Sequence, residues 1–151
     1  LGLNDALVEL TGTLAGLSFA LQNNRLVALS GLITGISATL SMASSEYLSA
    51  RSEGNADAKK SALYTGIMYI FAVILLVLPY ILFPKDKYVN ALIAMLFIVV
   101  LIILAFTYYI SVAKDLPFKK RFLEMATISI SVALLSFVIG ILVKQFLGID
   151  I

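Results

Sequence analysis

The chain alternates between long apolar runs and short polar breaks. A helix needs roughly 20 mainly apolar residues to cross a bilayer core about 30 Å thick. That template fits the sequence five times, and each break between the runs is short and polar. The pattern predicts an all-α polytopic membrane protein, one transmembrane domain over residues 1–151. The expected spans are 4–22, 26–50, 60–83, 88–112 and 119–146.

Composition supports the membrane assignment and narrows the available chemistry. Of the 151 residues, 61% are hydrophobic and only 13% are charged, far from the usage of soluble domains. The sequence contains no His and no Cys, so any metal ligands must be carboxylates, hydroxyls, amides or thioethers. The net charge of +2 is spread over short loops, which argues against nucleic acid as a partner. No phosphate-binding or catalytic motif occurs, and we expect neither an enzyme nor a bound cofactor.

The basic residues predict the orientation, because Lys and Arg in short loops prefer the cytoplasmic side. Seven of them fall on the side of the N-terminus and four on the other side, which predicts a cytoplasmic N-terminus. The membrane would be the cell membrane in a prokaryote or the vacuolar membrane in a eukaryote. Because the sequence opens at Leu1 without Met, we expect a missing upstream segment. The first group is Arg51, Lys59, Lys60, Lys114, Lys119, Lys120 and Arg121, and the second is Arg25, Lys85, Lys87 and Lys144.

Small residues set the first two spans apart from the bulky third and fourth. Gly12 and Gly16 form a Gly-x-x-x-Gly pair, and Gly31 and Gly35 form another. This spacing lets two helix backbones approach closely, so we expect the first two helices to form the packing core. The glycines would pack the first helix on the second within one chain, or would pack a second copy of the chain. Spans three and four are expected to face lipid.

Two carboxylates of the first span are expected to act together. Asp5 and Glu9 are four residues apart, which places them within about 6 Å on one helical face, where like charges repel. Unless a cation lies between them, one should hold a proton. Taken alone, Asp5 would be a helix N-terminal residue favoured by the helix dipole. Glu9 lies one turn deeper without Lys or Arg at helical spacing, which favours a functional role for the pair.

Met42 and Glu46 form a similar pair on the second span. Because this span returns to the side of the N-terminus, we expect Asp5, Glu9, Met42 and Glu46 to converge as a metal site. Carboxylates combined with one thioether suit Fe²⁺ or Mn²⁺, whereas an all-oxygen cage would favour Ca²⁺ or Mg²⁺. Taken alone, Met42 would be a gap-filling apolar residue.

Two stretches carry a family resemblance, residues 2–7 (GLNDAL) and residues 36–49 (ISATLSMASSEYLS). They resemble the first two helices of the vacuolar iron transporter family, which pairs a Gly-Leu-x-Asp-Gly-Leu-like opening with a Ser-Met-x-x-x-Glu/Gly-Tyr-like segment. The resemblance implies a homodimer in the lipid bilayer that exports Fe²⁺ or Mn²⁺ in exchange for protons, with Co²⁺ and Zn²⁺ as further candidates. Its metal path would run between the subunits, with Asp5 and Met42 as ligands. Glu46 matches a Glu found in many prokaryote-like members.

The sequence also departs from the family pattern. The Glu-rich cytoplasmic metal-binding region between helices two and three is absent, since only residues 51–60 join them. Thr34 occupies a position that is acidic in some members, and Glu9 is an additional acidic residue that we hypothesise takes over that role. Two other functions stay open: a membrane anchor or partner subunit for an N-terminal ferritin-like domain, and a passive cation channel.

Overall fold

The computed structural model describes the backbone of residues 2–115 and 117–148, and the side chains of 7–115 and 117–148. Over this part the regular structure is entirely helical, which confirms the all-α prediction, and every helix end lies within two residues of its expected position. The helices are α1 (Gly2–Leu21), α2 (Asn24–Ser52), α3 (Ala58–Leu82), α4 (Tyr88–Lys114) and α5 (Phe118–Leu147).

Local chemistry at the turns explains these bounds. The side chain of Asn23 accepts a hydrogen bond of 3.0 Å from the backbone N–H of Arg25 and so caps the start of α2. Asp115 ends α4 in the left-handed conformation with φ 56°, and Gly148 ends α5 in the same way with φ 64°. Pro117 directly precedes α5, where its missing N–H costs no helix hydrogen bond. The polar turns therefore fix the lengths of the apolar helices.

The helices have the length and surface of membrane spans. Helices α2, α3, α4 and α5 are each long and apolar enough to cross a bilayer. The described apolar stretch of α1, Leu7–Leu21, is shorter than such a span, so the fifth membrane span stays a prediction. Large apolar side chains are exposed on the outer helices, among them Ile33, Phe71, Ile93 and Leu134. Such a surface suits lipid and not water, so the chain is an integral membrane protein.

Helix α1 lies at the centre of the bundle and packs against all four other helices. Its side chains Leu7, Leu10 and Leu14 are fully buried in the hydrophobic core. The expectation that the first two helices form the packing core is therefore wrong. The buried core cluster draws on α1, α2, α3 and α4, and α5 adds partly buried side chains to it. The other fully buried members of the core include Val27, Tyr69, Val73, Leu76, Val77, Tyr80 and Met95.

The first glycine pair packs α1 against α5, not against α2. A Cβ built on Gly12 would lie 2.7 Å from the hydroxyl oxygen of Ser136, and one on Gly16 would lie 2.9 Å from the Ser136 carbonyl oxygen. Gly140 of α5 faces this pair, and a Cβ built on it would lie 2.6 Å from the Gly16 carbonyl oxygen. The two backbones therefore touch at a point where both residues lack a side chain.

The second glycine pair packs mainly against α3. A Cβ on Gly31 would lie 2.8 Å from the Leu14 side chain of α1 and 3.3 Å from Val77 of α3, and one on Gly35 would collide with Val73 of α3. One face of α3 is consequently buried, from Tyr69 to Tyr80, and the expectation that this bulky helix faces lipid is wrong for that face. Bulky apolar side chains suit protein and lipid equally, so composition alone does not separate the two.

Candidate metal-transport site

Glu9 lies seven residues after the start of α1, about 10 Å along the helix axis. Its side chain is exposed at the surface of the chain, although α1 runs through the centre of the bundle. Its Oε2 accepts a hydrogen bond of 2.9 Å from the hydroxyl of Tyr69 on α3. The carboxylate is therefore held by a buried neighbour while part of it stays accessible.

Tyr69 is a residue of this site that the sequence reasoning missed. It belongs to the apolar run Ile67–Phe71, which gives no sign of function by hydropathy. Its side chain is completely buried, and a buried Tyr hydroxyl normally needs a polar partner. The hydroxyl of Tyr69 within this short apolar run is the signal that would have found it.

Glu46 of α2 also contacts α3, at a different residue. It is half-buried on α2 and accepts a short hydrogen bond from the hydroxyl of Ser61, in the first turn of α3. Ser61 and Tyr69 are eight residues apart, which is about 12 Å of helix rise. Glu9 and Glu46 are therefore anchored to two different levels of α3.

The remaining predicted ligands do not complete a cluster in the part of the chain whose side chains are described. Met42 is half-buried and packs against the hydrophobic core, a position that fits both the ligand and the gap-filling alternative. Asp5 belongs to α1, but its side chain lies outside the described residues. Among the described side chains, no three Asp, Glu, His or Cys residues lie close enough together to hold a metal ion.

Helix α2 exposes hydroxyl groups from Thr34 to its last residue, on both sides of Glu46. A span that only faces lipid would present apolar side chains there, whereas α2 mixes hydroxyls with Leu40 and Leu48. Ser44 donates its hydroxyl to the Leu40 carbonyl oxygen at 2.8 Å and stays exposed. Such a bond to the helix backbone allows a hydroxyl to lie on the surface of a membrane helix. Its exposed Ser and Thr residues are Thr34, Ser37, Ser41, Ser44, Ser45, Ser49 and Ser52.

Polar contacts made by buried side chains tie helices together at the other end of the bundle. The hydroxyls of Ser18 on α1 and Tyr80 on α3 lie 2.6 Å apart, and neither side chain is exposed. Asn24, at the start of α2, donates through Nδ2 to the carbonyl oxygens of Pro84 at 2.7 Å and Lys87 at 3.1 Å. The α1–α2 turn is thereby fastened to the α3–α4 turn.

Comparison with known proteins finds a match for the segment that contains α1 and α2. A family model described as the VIT family matches residues 1–59. The first two helices of the chain are therefore similar to the VIT family. The matched segment contains all of α1 and α2, which carry the four predicted metal ligands. This match confirms the sequence resemblance and suggests a metal or iron transporter in general. No curated protein matches the chain.

Proposed function

We propose that this chain is a member of the VIT family and a proton-coupled transporter, which exports Fe²⁺ or Mn²⁺ from the cytoplasm along a path lined by α1 and α2. The observation that carries the proposal is Glu9, a carboxylate exposed on the central helix about 10 Å from the start of that helix. A charged carboxylate near the middle of a membrane helix costs about 2.5–3.5 kcal/mol, so it faces a cavity, a cation or a partner. A cation path satisfies that requirement.

The path belongs to a homodimer with cytoplasmic N-termini in this proposal. Two observations support a second copy: the described side chains of one chain hold no cluster of three acidic residues, and both Glu9 and the hydroxyl face of α2 are exposed. A two-fold axis beside these surfaces would bring two sets of Asp5, Glu9, Met42 and Glu46 to one path. Carboxylates and thioethers from both subunits then form the donor set that Fe²⁺ and Mn²⁺ accept.

Proton coupling follows from competition for the same carboxylates. Asp5 and Glu9 are one helical turn apart, so a divalent cation and protons are alternative ways to neutralise the repulsion between the two carboxylates. Metal entry therefore displaces protons, and metal release lets protons return. The transported ion is a substrate, and no resident metal or cofactor is required.

Reconstituted flux tests the proposal. The purified chain is placed in proteoliposomes, and uptake of Fe²⁺, Mn²⁺, Co²⁺ and Zn²⁺ is measured with and without a pH gradient. We expect Asp5→Asn, Glu9→Gln and Met42→Ala to lower metal flux strongly. Glu124→Gln is the matched control, because Glu124 is an exposed carboxylate on α5.

The outcomes separate the alternatives. Absence of metal flux in the wild type would support the membrane-anchor function. Flux that ignores the pH gradient would support a passive channel. Wild-type flux in both Asp5→Asn and Glu9→Gln, at the level of the Glu124→Gln control, would remove the proposed site.

A further inference from the structure

We propose that Tyr69 is a positioning residue that restricts Glu9 to coordination through one oxygen and so favours Mn²⁺ and Fe²⁺ over Ca²⁺. The proposal rests on the proposed function, since it requires Glu9 to bind the transported cation. It goes beyond that function by assigning ion selectivity to a residue that is not itself a predicted ligand.

The packing fixes the Tyr69 ring, and a hydrogen bond ties one oxygen of the exposed Glu9 carboxylate to it. The Tyr69 hydroxyl donates to Oε2 of Glu9 at 2.9 Å, between residues 60 positions apart in the sequence. The Tyr69 side chain is completely buried in the core cluster that also contains Leu7, Ala72 and Val73. A ring packed in this way has one position available, so its hydroxyl holds the carboxylate of Glu9 in one orientation.

The orientation of the Glu9 carboxylate affects Ca²⁺ more than Mn²⁺ or Fe²⁺, because these ions differ in how they bind carboxylates. A hydrogen bond donated to a carboxylate is charge-assisted and draws electron density from the oxygen that accepts it. A cation that bound both oxygens of Glu9 would have to compete with Tyr69 for Oε2, whereas a cation bound through Oε1 alone would not. Ca²⁺ takes six to eight oxygen ligands and often binds carboxylates through both oxygens. Smaller divalent ions accept mixed ligands and fewer oxygen contacts, so they lose less binding free energy when only one oxygen of Glu9 is available.

Removal of one hydroxyl tests the assignment. Tyr69→Phe keeps the buried ring and deletes the donor to Glu9. Tyr80→Phe is the matched control, because Tyr80 is equally buried on α3 but its hydroxyl contacts Ser18 instead of a carboxylate. The readout is the ratio of Mn²⁺ to Ca²⁺ uptake when both ions are offered together to the homodimer in proteoliposomes. A general loss of folding lowers both uptakes and leaves the ratio unchanged.

We expect the Mn²⁺-to-Ca²⁺ ratio to fall by about tenfold in Tyr69→Phe, the change expected from loss of one hydrogen bond to a charged group. The Tyr80→Phe ratio should equal that of the wild type. Glu9→Asp supplies a second variant, since it keeps the charge but withdraws the carboxylate by one methylene from the Tyr69 hydroxyl, and its ratio should fall in the same direction.

A wild-type ratio in both Tyr69→Phe and Glu9→Asp would overturn the selectivity role. An equal fall in Tyr69→Phe and Tyr80→Phe would overturn it as well, because the effect would then not depend on Glu9. Competitive binding of Mn²⁺ and Ca²⁺ to the detergent-solubilised protein gives the same ratio without transport. If the wild type moves no metal, the proposed function fails, and this binding ratio still decides the role of Tyr69.

Discussion

Substitution of Gly140 by Ala tests the packing of α1 against α5. A Cβ at this position would lie 2.6 Å from the carbonyl oxygen and 3.2 Å from the Cα of Gly16. Ordinary contact begins at 3.4 Å, so this Cβ would lie about 0.8 Å too close to the Gly16 carbonyl oxygen. Both opposing atoms belong to the backbone, and no side-chain rotation can relieve the collision. The two helices must move apart.

The expected cost follows from that displacement. Overpacking of this kind costs about 1–3 kcal/mol, because neighbouring contacts are lost when the helices separate. Replacing Gly by Ala inside a helix stabilises the helix by about 1 kcal/mol, because Ala has the higher helix propensity. The difference leaves Gly140→Ala less stable than the wild type by about 1 kcal/mol at the centre of these ranges and by about 2 kcal/mol at most.

Gly66 provides a matched control within α3. A Cβ there would lie 3.4 Å from the Cβ of Ala43, which is an ordinary contact. Gly66→Ala should therefore leave stability unchanged or raise it by up to about 1 kcal/mol. Unfolding in mixed detergent micelles with increasing SDS, followed by circular dichroism, measures both variants. If Gly140→Ala is as stable as the wild type, or shifts in the same direction as Gly66→Ala, the described α1–α5 contact is wrong.

Two further substitutions test the polar contacts at the end of the bundle distant from Glu9. Ser18→Ala deprives the buried Tyr80 hydroxyl of its 2.6 Å partner and should lower stability by about 1–3 kcal/mol in the same unfolding assay. Ser44→Ala, which removes an exposed hydroxyl, should have little effect, and equal losses in the two would contradict the assignment. Asn24→Ala frees two carbonyls of the α3–α4 turn, so amide hydrogen exchange should accelerate in residues 83–88. Unchanged exchange there would show that the turn is held by other contacts.

The helix bounds could be predicted from the sequence because bilayer physics acts on local composition. An apolar run must be about as long as the bilayer is thick, and residues such as Asn23, Asp115 and Pro117 mark where it stops. Both signals are read without knowing which helices touch. The same holds for the choice of α1 and α2 as the polar helices, which the VIT match over residues 1–59 supports.

Helix neighbours could not be predicted in this way. The glycines of α1 were expected to face α2 or a second chain, yet Gly16 meets Gly140 more than a hundred residues later in the sequence. Tyr69 was hidden for the same reason, since its role depends on Glu9, 60 positions away. In a bilayer, protein and lipid are equally apolar environments, so hydropathy does not reveal which face of a helix is buried.

The central claim is that metal and protons compete for the carboxylates of α1, and coupled flux measures it most directly. Proteoliposomes carrying a pH-sensitive dye in the lumen receive external Mn²⁺ with no initial pH gradient, while metal uptake is recorded in parallel. We predict that Mn²⁺ entry drives protons out and makes the lumen alkaline in the wild type, and that Glu9→Gln brings both signals close to the protein-free background. Mn²⁺ entry without proton movement in the wild type, or wild-type coupling in Glu9→Gln, would contradict the account.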